Sequence, residues 1–236
     1  MAAPTPPWLR AADAQRALQD AIKRLIVERG LAPGAPLPPE AELMRELGVG
    51  RNRLREAMKA LQALGIVDIR HGHGTYVGSL SLTALEAGLE FRTDLSVAGD
   101  LRDVRDLLQL REILETGLVP DVLRHADELD MATLERAVAT LEADARHGRP
   151  APHADWLFHK TLYEPLDNAL LIQLLHVFWS VFDKLADHLV ATTEHPRVTA
   201  RWHREILTAL RARDEQALRA AMKEHFRGIR ARISAP

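Results

Sequence analysis

The sequence predicts a mainly α-helical protein with one small β-hairpin. Hydrophobic residues make up 47% of the 236 residues but aromatic residues only 5%, and the apolar segments are rich in Ala and Leu. These residues recur at helical spacing along most of the chain, and few stretches show the alternating Val, Ile, Thr and Tyr that mark strands. The length allows one large domain or two modest ones, each with its own core.

The composition excludes several classes of function. The chain has no cysteine, which rules out disulfides, zinc fingers and thiol catalysis. No apolar run reaches the roughly 18 residues that span a bilayer, and the first residues do not resemble a signal peptide. We therefore expect a cytoplasmic protein without a membrane segment.

Three helices are predicted in the N-terminal part of the chain. The first runs from Asp13 to Gly30, two residues suited to cap a helix at its start and at its end. The turn "LAPGAPLPPE" then leads to a second helix that ends at Gly48. A third helix follows directly and closes at Leu64 and Gly65.

A two-stranded hairpin is predicted after the third helix. Apolar β-branched residues lead into the sequence "RHGHG" and out of it again, and Gly72 and Gly74 accept the positive φ that such a turn needs. Three short helices followed by a hairpin predict a winged helix-turn-helix over residues 10–78. The weaker periodicity of residues 79–100 predicts a linker.

Every apolar pattern from Leu101 onward is helical. Breakers such as "HGRPAPH", "YEPLDN" and "HPRV" separate the segments. An all-α bundle is therefore predicted over residues 101–233. Its helices are expected at 101–126, 130–146, 154–163, 168–191, 197–211 and 214–232.

Basic residues are concentrated at the start of the third helix, at Arg51, Arg53 and Arg55. Between Gly48 and Gly78 the basic side chains exceed the acidic ones by three, in a chain whose formal net charge is −2. A recognition helix needs cations at its start, because its N-terminal residues face base edges and phosphates in the major groove. Such a run on its own also fits a solvated helix face, but the neighbouring glycine-punctuated hairpin favours DNA binding.

The segment "LPPEAELMRELGVGRNRLREAMKALQALGIVDIRHGHGTYVG" resembles the winged helix-turn-helix of GntR-family bacterial transcriptional regulators. The resemblance implies that Arg51 and Arg55 read guanine or phosphate. It also implies that His71 and Gly72 form the wing tip that enters the minor groove. The chain departs from the family pattern at Arg53, where a small residue is usual, and this arginine is a further candidate DNA contact.

A metal site is predicted in the C-terminal domain. In "HADWLFHK", Asp155 and His159 lie one helical turn apart and can chelate one ion, although this pair alone also fits a surface carboxylate beside a partly buried histidine. His203 and His225 lie in the last two helices at similar distances from the turn between them, so both can face one point. Three imidazoles and a carboxylate suit a divalent transition metal such as Zn, Ni or Mn.

The same region is similar to the ligand-binding domain of FadR-type regulators, in its metal-binding branch. The similarity covers about residues 100–232 and is carried by "DWLFHKTLYEPLDNALL", "HREILTALRARDEQALRAAMKEHF" and "LLQLREILE". It implies that Asp155, His159, His203 and His225 are metal ligands, with open positions for water or for the carboxylate of an effector.

Arg111 is the first candidate for an effector contact, because it lies on the apolar stripe of its helix. A buried arginine must be paired. Its partner is either a structural glutamate of a neighbouring helix or an anionic ligand, since the arginine fork fits a carboxylate. Arg105 is a second candidate, and Asn168 either caps its helix or touches the ligand.

Together these features predict a dimeric transcriptional regulator, more often a repressor in this family, that binds a palindromic operator. A small carboxylate such as a sugar acid, a hydroxy acid or a dicarboxylate is the expected effector. A regulator that responds to the metal itself is an alternative. A metal-dependent hydrolase is less favoured because no HExxH-like pair places a general base beside the ligands, so we expect no enzymatic activity.

Overall fold

The computed structural model describes residues 7–97, 99–186 and 196–233. Within these ranges it is mainly helical with one two-stranded sheet, which confirms the predicted fold class. Its contacts divide into two compact units, Met1–Leu85 and Glu86–Pro236. The division between the units falls inside the segment that was predicted to be a linker.

The first unit is a winged helix-turn-helix. Its α1 helix begins earlier than the predicted start at Asp13, since a proline at the first helical position already has the φ of a helix. Gly48 ends α2 in the left-handed conformation, with a φ of 63°, and so lets the chain turn sharply into α3. The elements are α1 (Pro7–Glu28), α2 (Glu40–Leu47), α3 (Arg51–Ala63), β1 (Val67–Arg70) and β2 (Gly74–Val77).

The core of the first unit is formed where α3 packs against α1 and α2. Ile22, Leu43 and Leu54 are almost completely buried there, and Val67 of β1 joins the same cluster. The two strands are antiparallel, and residues 71–73 form the turn between them. Because the apolar side of α3 faces this core, its arginines are left on the exposed side.

The second unit is all-α. Large buried side chains, among them Phe158, Tyr163, Ile206 and Phe226, fill its interior. Helix α10 packs against both α7 and α11, and α7 packs against α8. The elements are α4 (Thr83–Val97, which starts in the first unit), α5 (Arg102–Gly117), α6 (Val119–Arg124), α7 (Met131–Arg146), α8 (Pro152–Tyr163), a 3-10 turn (Glu164–Leu166), α9 (Ala169–Ala186), α10 (Pro196–Ala212) and α11 (Glu215–Ile233).

The segment 79–100, which was predicted as a linker, is mostly helix α4. Its helical pattern is weak because apolar residues such as Phe91 and Leu95 are exposed, so they do not mark a buried face. Its contacts include the packing of Leu89 and Val97 against buried clusters of the second unit, and a hydrogen bond of 2.5 Å that Ser180 Oγ on α9 donates to Glu86 Oε1.

Other boundaries also differ from the predicted ones. The single helix expected over 101–126 is two helices, α5 and α6, because Pro120 cannot donate the backbone hydrogen bond that would continue the first. The end of the helix expected over 168–191 lies outside the described residues. None of the helices in the described ranges is long and apolar enough to cross a membrane.

Candidate functional site

Three buried histidines meet in the interior of the second unit. His159 on α8, His203 on α10 and His225 on α11 are 1%, 0% and 2% exposed. One ring nitrogen of each lies within 4.8 Å of those of the other two, and the ring centroids are 4.7 to 5.4 Å apart. The structure therefore brings together, from three helices, the histidines that the sequence pattern selected.

The short turn between α10 and α11 accounts for this meeting. Arg213, with a φ of 52°, and Asp214 form the turn. Asp214 also caps α11 by accepting a hydrogen bond of 2.9 Å from the backbone N–H of Ala217. A turn of this length makes the two helices antiparallel neighbours, so His203 and His225 lie at the same level on their buried faces.

Asp155 lies at the edge of the histidine cluster, one turn before His159. Its Oδ1 atom is 3.0 Å from Nε2 of His203, and its side chain is 21% exposed. Burial raises the pKa of the Asp155 carboxyl, but His203, together with His159 and His225, outweighs burial and holds this pKa well below its usual range. Asp155 is therefore ionised, which is the form in which a carboxylate binds a metal.

The cluster fits a divalent transition metal. Both ring nitrogens of His159 and of His225, and Nε2 of His203, are buried without an aligned hydrogen-bond partner, although burying an unsatisfied polar group costs about 1–3 kcal/mol. Nδ1 of His203, in contrast, lies 2.8 Å from the backbone carbonyl of Thr199 and can donate a hydrogen bond to it. Imidazole nitrogens supported by a carboxylate are ligands that Zn, Ni and Mn accept.

His225 is held in the neutral form that binds a metal. Burial, reinforced by the neighbouring imidazoles of His203 and His159, lowers its pKa well below the ordinary value. Trp202, itself buried, packs edge-on against this ring, with centroids 6.4 Å apart. An indole ring thus borders the site beside His225.

Glu115 on α5 connects the histidines to a buried ion pair. Its Oε2 atom is 2.8 Å from Nδ1 of His159 and accepts a hydrogen bond of 3.0 Å from the Tyr163 hydroxyl, while its Oε1 atom accepts one of 2.6 Å from Nε of Arg111. Burial raises the pKa of Glu115, but Arg111 and His159 outweigh it and lower the pKa below its usual range. A carboxylate in this position orients a metal-binding imidazole.

Sequence reasoning missed Glu115 and Tyr163. The spacing of four residues between Arg111 and Glu115 on one helix was the available signal, because it places the two side chains on the same face. Arg111 is buried and paired, as a buried arginine must be, but its partner is a glutamate of its own helix rather than of a neighbouring one.

The other two candidate effector residues lie on the surface. Arg105 is exposed and donates a hydrogen bond of 2.7 Å to the backbone oxygen of Asp100. Asn168 is exposed and caps α9 by accepting a hydrogen bond of 3.0 Å from the N–H of Leu171. Among the described residues neither contacts the histidine cluster, so the capping alternative describes Asn168 and an effector role for either residue stays a prediction.

The arginines of α3 are exposed, but they do not share one face. Arg51 and Arg55 are one helical turn apart and lie on the same side of α3. Arg53 lies on the opposite flank, and its backbone oxygen accepts a hydrogen bond of 3.3 Å from the side chain of Gln15 on α1. The pair Arg51 and Arg55 therefore forms the basic face, and Arg53 lies apart from it on the other flank.

The wing presents His71 and Gly72 at its tip. Both are exposed, and Gly72 has a φ of 78°, which the turn requires. Behind the tip, the guanidinium of Arg70 stacks 4.2 Å from the ring centroid of Tyr76 and donates a hydrogen bond of 2.8 Å to Asp68. These contacts of Arg70 thus stabilise the strands that carry the polar tip.

Two protein-family models match the chain, one for each unit. The model described as "Bacterial regulatory proteins, gntR family" matches residues 14–77. The model described as "FCD domain" matches residues 106–228. The second match includes all four predicted metal ligands.

Curated proteins similar to this chain are transcriptional regulators. The Uxu operon transcriptional regulator of Escherichia coli is 28% identical, over 94% of this chain and 89% of that protein. The putative L-lactate dehydrogenase operon regulatory protein of Escherichia coli is also 28% identical, over 88% and 81%. The HTH-type transcriptional repressor NanR of Cronobacter sakazakii is 27% identical, over 90% and 82%.

A solved structure shares the architecture of the chain. The Streptococcus agalactiae GntR structure aligns with a TM-score of 0.63 and 30% sequence identity, covering 94% of this chain and 100% of that one. The chain therefore belongs to the GntR family of bacterial transcriptional regulators, with an FCD domain behind its winged helix-turn-helix, and it is a regulator and not an enzyme.

Proposed function

We propose that this protein is a repressor whose affinity for DNA is changed by a small organic acid bound at a metal centre in its second unit. The observation that carries the proposal is the buried cluster of His159, His203 and His225, with Asp155 at its edge, in a chain that also has a winged helix-turn-helix. The protein would act in the cytoplasm. It would bind DNA as a homodimer, because the two-fold symmetry of a dimer matches a palindromic operator.

The charges around the cluster favour an anionic effector. Asp155 and Glu115 each carry a negative charge and Arg111 a positive one, so a divalent cation leaves the site with net positive charge. Asp155 and the three histidines would hold the ion, which supplies a Lewis-acidic attachment point for a carboxylate. The residues 101–233 would then form the effector-binding domain.

Hydroxy acids, sugar acids and dicarboxylates are the proposed class of effector. They carry the carboxylate that such a site attracts, and their hydroxyl or second carboxyl group offers a further ligand atom. One relative is named for an L-lactate dehydrogenase operon, and lactate is a 2-hydroxy acid. Relatives named as repressors support repression, rather than activation, as the proposed effect on transcription.

On the DNA side, α3 would lie in the major groove with Arg51 and Arg55 facing the bases or phosphates, and Arg53 adding a contact from the other flank of the helix. The wing tip, His71 and Gly72, would enter the minor groove. The exposed basic face of α3 supports the contact in the major groove, because phosphate binding needs local positive charge.

Metal content and acid response together test the proposal. His203→Ala and His225→Ala should each lower the metal content of the purified protein and abolish its response to acids, while DNA binding by the first unit persists. The response is measured as release of an operator selected in vitro from random duplexes, with L-lactate, D-gluconate and succinate as probes. His176→Ala, which removes an exposed histidine of α9, is the matched control and should change neither property.

Two results would contradict parts of the proposal. An acid response that survives complete metal removal would show that the effector is anchored elsewhere. Release of DNA by Zn²⁺, Ni²⁺ or Mn²⁺ alone, with no effect of any acid, would instead favour a regulator that responds to the metal itself.

A further inference from the structure

The guanidinium of Arg55 on α3 is held by a carboxylate of a different helix. Its Nε atom donates a hydrogen bond of 2.7 Å to Oε1 of Glu40, and its Nη2 atom donates one of 3.2 Å to Oε2 of the same residue. Glu40 is the first residue of α2, where a negative charge is also favoured by the helix dipole. The contact is therefore bidentate and joins the two helices of the helix-turn-helix.

The Arg55–Glu40 pair is accessible to solvent and is not part of the hydrophobic core. The Arg55 and Glu40 side chains are 60% and 36% exposed. Ion pairs in such surroundings contribute little to folding stability. A bidentate fork nevertheless restricts the orientation of a guanidinium, because two parallel hydrogen bonds favour one plane.

The pair leaves the outer edge of the guanidinium free for a base. A guanidinium has five N–H donors, and Glu40 takes the Nε donor and one Nη2 donor on one edge. The remaining donors lie on Nη1 and on the far side of Nη2. These two nitrogens form the end-on fork that can donate to O6 and N7 of a guanine.

We propose that Glu40 is a specificity-determining residue that positions Arg55 to read a guanine, and that it does not contact DNA itself. The inference rests on the proposed role of α3 in DNA recognition. Its energetic basis is preorganisation: the long arginine side chain is already ordered in the free protein, so less entropy is lost on binding the base. The ordered Arg55 side chain does not increase the affinity for DNA of scrambled sequence. The negative charge of Glu40 lowers that affinity, because it repels the phosphates.

Removal of Glu40 should therefore lower specificity without lowering general DNA affinity. The measured quantity is the ratio of affinities for two duplexes, one selected from random sequences by the wild-type chain and one with the same bases scrambled. Glu40→Ala should reduce this ratio roughly five- to hundredfold, as expected for a lost bidentate base contact. Glu40→Gln, which keeps an oxygen acceptor for Arg55, should give a smaller loss.

A matched control separates positioning from a simple charge effect. Glu42 is also on α2, and its carboxylate accepts a hydrogen bond of 3.3 Å from Arg29, which in turn keeps Glu46 as a partner at 2.6 Å. Glu42→Ala removes the same charge from the same helix and should leave the ratio unchanged. Circular dichroism and thermal unfolding check that every variant is folded.

A double-mutant cycle tests whether Glu40 acts through Arg55. Arg55→Ala should lower the ratio as much as Glu40→Ala or more, and the double variant should lose no more than Arg55→Ala alone. Losses that add in the double variant would show that Glu40 contacts DNA by itself, and an unchanged ratio in Glu40→Ala would show that it has no role in specificity. If the wild-type chain selects no sequence, the proposed function and this inference both fail.

Discussion

At the scale of single residues, Glu115 is where the buried charges of the second unit meet. It is fully buried, and its two oxygens are shared among Arg111, Tyr163 and His159. Burial and the charge of Glu115 raise the pKa of the Tyr163 hydroxyl well above its usual value, so this side chain remains a hydrogen-bond donor. The carboxylate therefore has a fixed orientation toward Nδ1 of His159, which leaves the other ring nitrogen for the ion.

Glu115→Gln should weaken metal binding by about 10- to 100-fold, because an amide orients the His159 ring less strongly than a carboxylate does. The affinity is measured by competition with a chelator of known strength. The variant also leaves the charge of Arg111 without its buried partner, so we expect a loss of about 3 kcal/mol in the free energy of unfolding.

Glu112→Gln provides the control for this change. Glu112 lies on the same helix, but its carboxylate pairs with Arg230. Glu112→Gln should leave the metal affinity unchanged. Equal metal affinity in wild type and Glu115→Gln would restrict Glu115 to the role of a counterion for Arg111.

The sequence located the three histidines of the candidate site well and their surroundings poorly. His159, Asp155 and the two histidines of the last hairpin follow from spacing alone, because helical geometry converts a separation along the chain into a direction. The approach of Glu115 to His159 depends on how α5 packs against α8, which no local pattern encodes. Likewise, the pairing of Arg55 with Glu40 depends on the packing of two helices.

At the scale of elements, α4 is the segment where the sequence was least informative. The amphipathic pattern of the other helices comes from burying one face, whereas several apolar side chains of α4 are exposed. Its contacts include the hydrogen bond of Glu86 and an ion pair between Glu90 and Lys184 of α9. Polar contacts of this kind leave no periodic signature, which is why helix α4 was predicted as a linker.

Gly88→Ala should stabilise the protein by about 0.5–1 kcal/mol, because glycine in the interior of a helix has more backbone entropy to lose than alanine. Gly88 is exposed in the middle of α4, and no atom lies within 4 Å of an added Cβ. The free energy of unfolding by urea measures the change. No stabilisation would indicate that this segment is not a stable helix.

Gly78→Ala is the matched substitution, and it should lower the free energy of unfolding, whereas Gly88→Ala should raise it. An added Cβ there would lie 2.1 Å from the backbone oxygen of Gly65, so the chain after the hairpin must shift. Overpacking against rigid backbone should cost about 3 kcal/mol in the first unit.

At the scale of the whole molecule, two separate cores imply two responses to pH. The folded pKa of His225 lies below its ordinary value of 6.5, so between these two values only the unfolded chain binds the proton. Stability rises with pH wherever the unfolded state binds more protons. Metal-stripped protein should therefore lose stability in its second unit as the pH falls below about 6.5, by up to about 1.4 kcal/mol per pH unit.

Differential scanning calorimetry of metal-stripped protein between pH 7.5 and 5.5 measures this response. The first unit should hold its transition temperature, because its described groups with shifted pKa values are Asp20, Glu40, Arg29 and Arg55, which titrate well outside this window. Gly78→Ala identifies the transition of the first unit by lowering it. Equal shifts of both transitions with pH would contradict the assignment to His225.

The buried ring of Trp202 beside His225 has an optical consequence. Indole fluorescence is quenched by open-shell ions at short range and far less by closed-shell ones, and Zn²⁺ has a filled d shell. An Mn²⁺ or Ni²⁺ ion among the three histidines would therefore quench the fluorescence of Trp202, whereas Zn²⁺ would quench it far less. The fluorescence of Trp202 would thus distinguish an open-shell ion from Zn²⁺ at this site without any added dye.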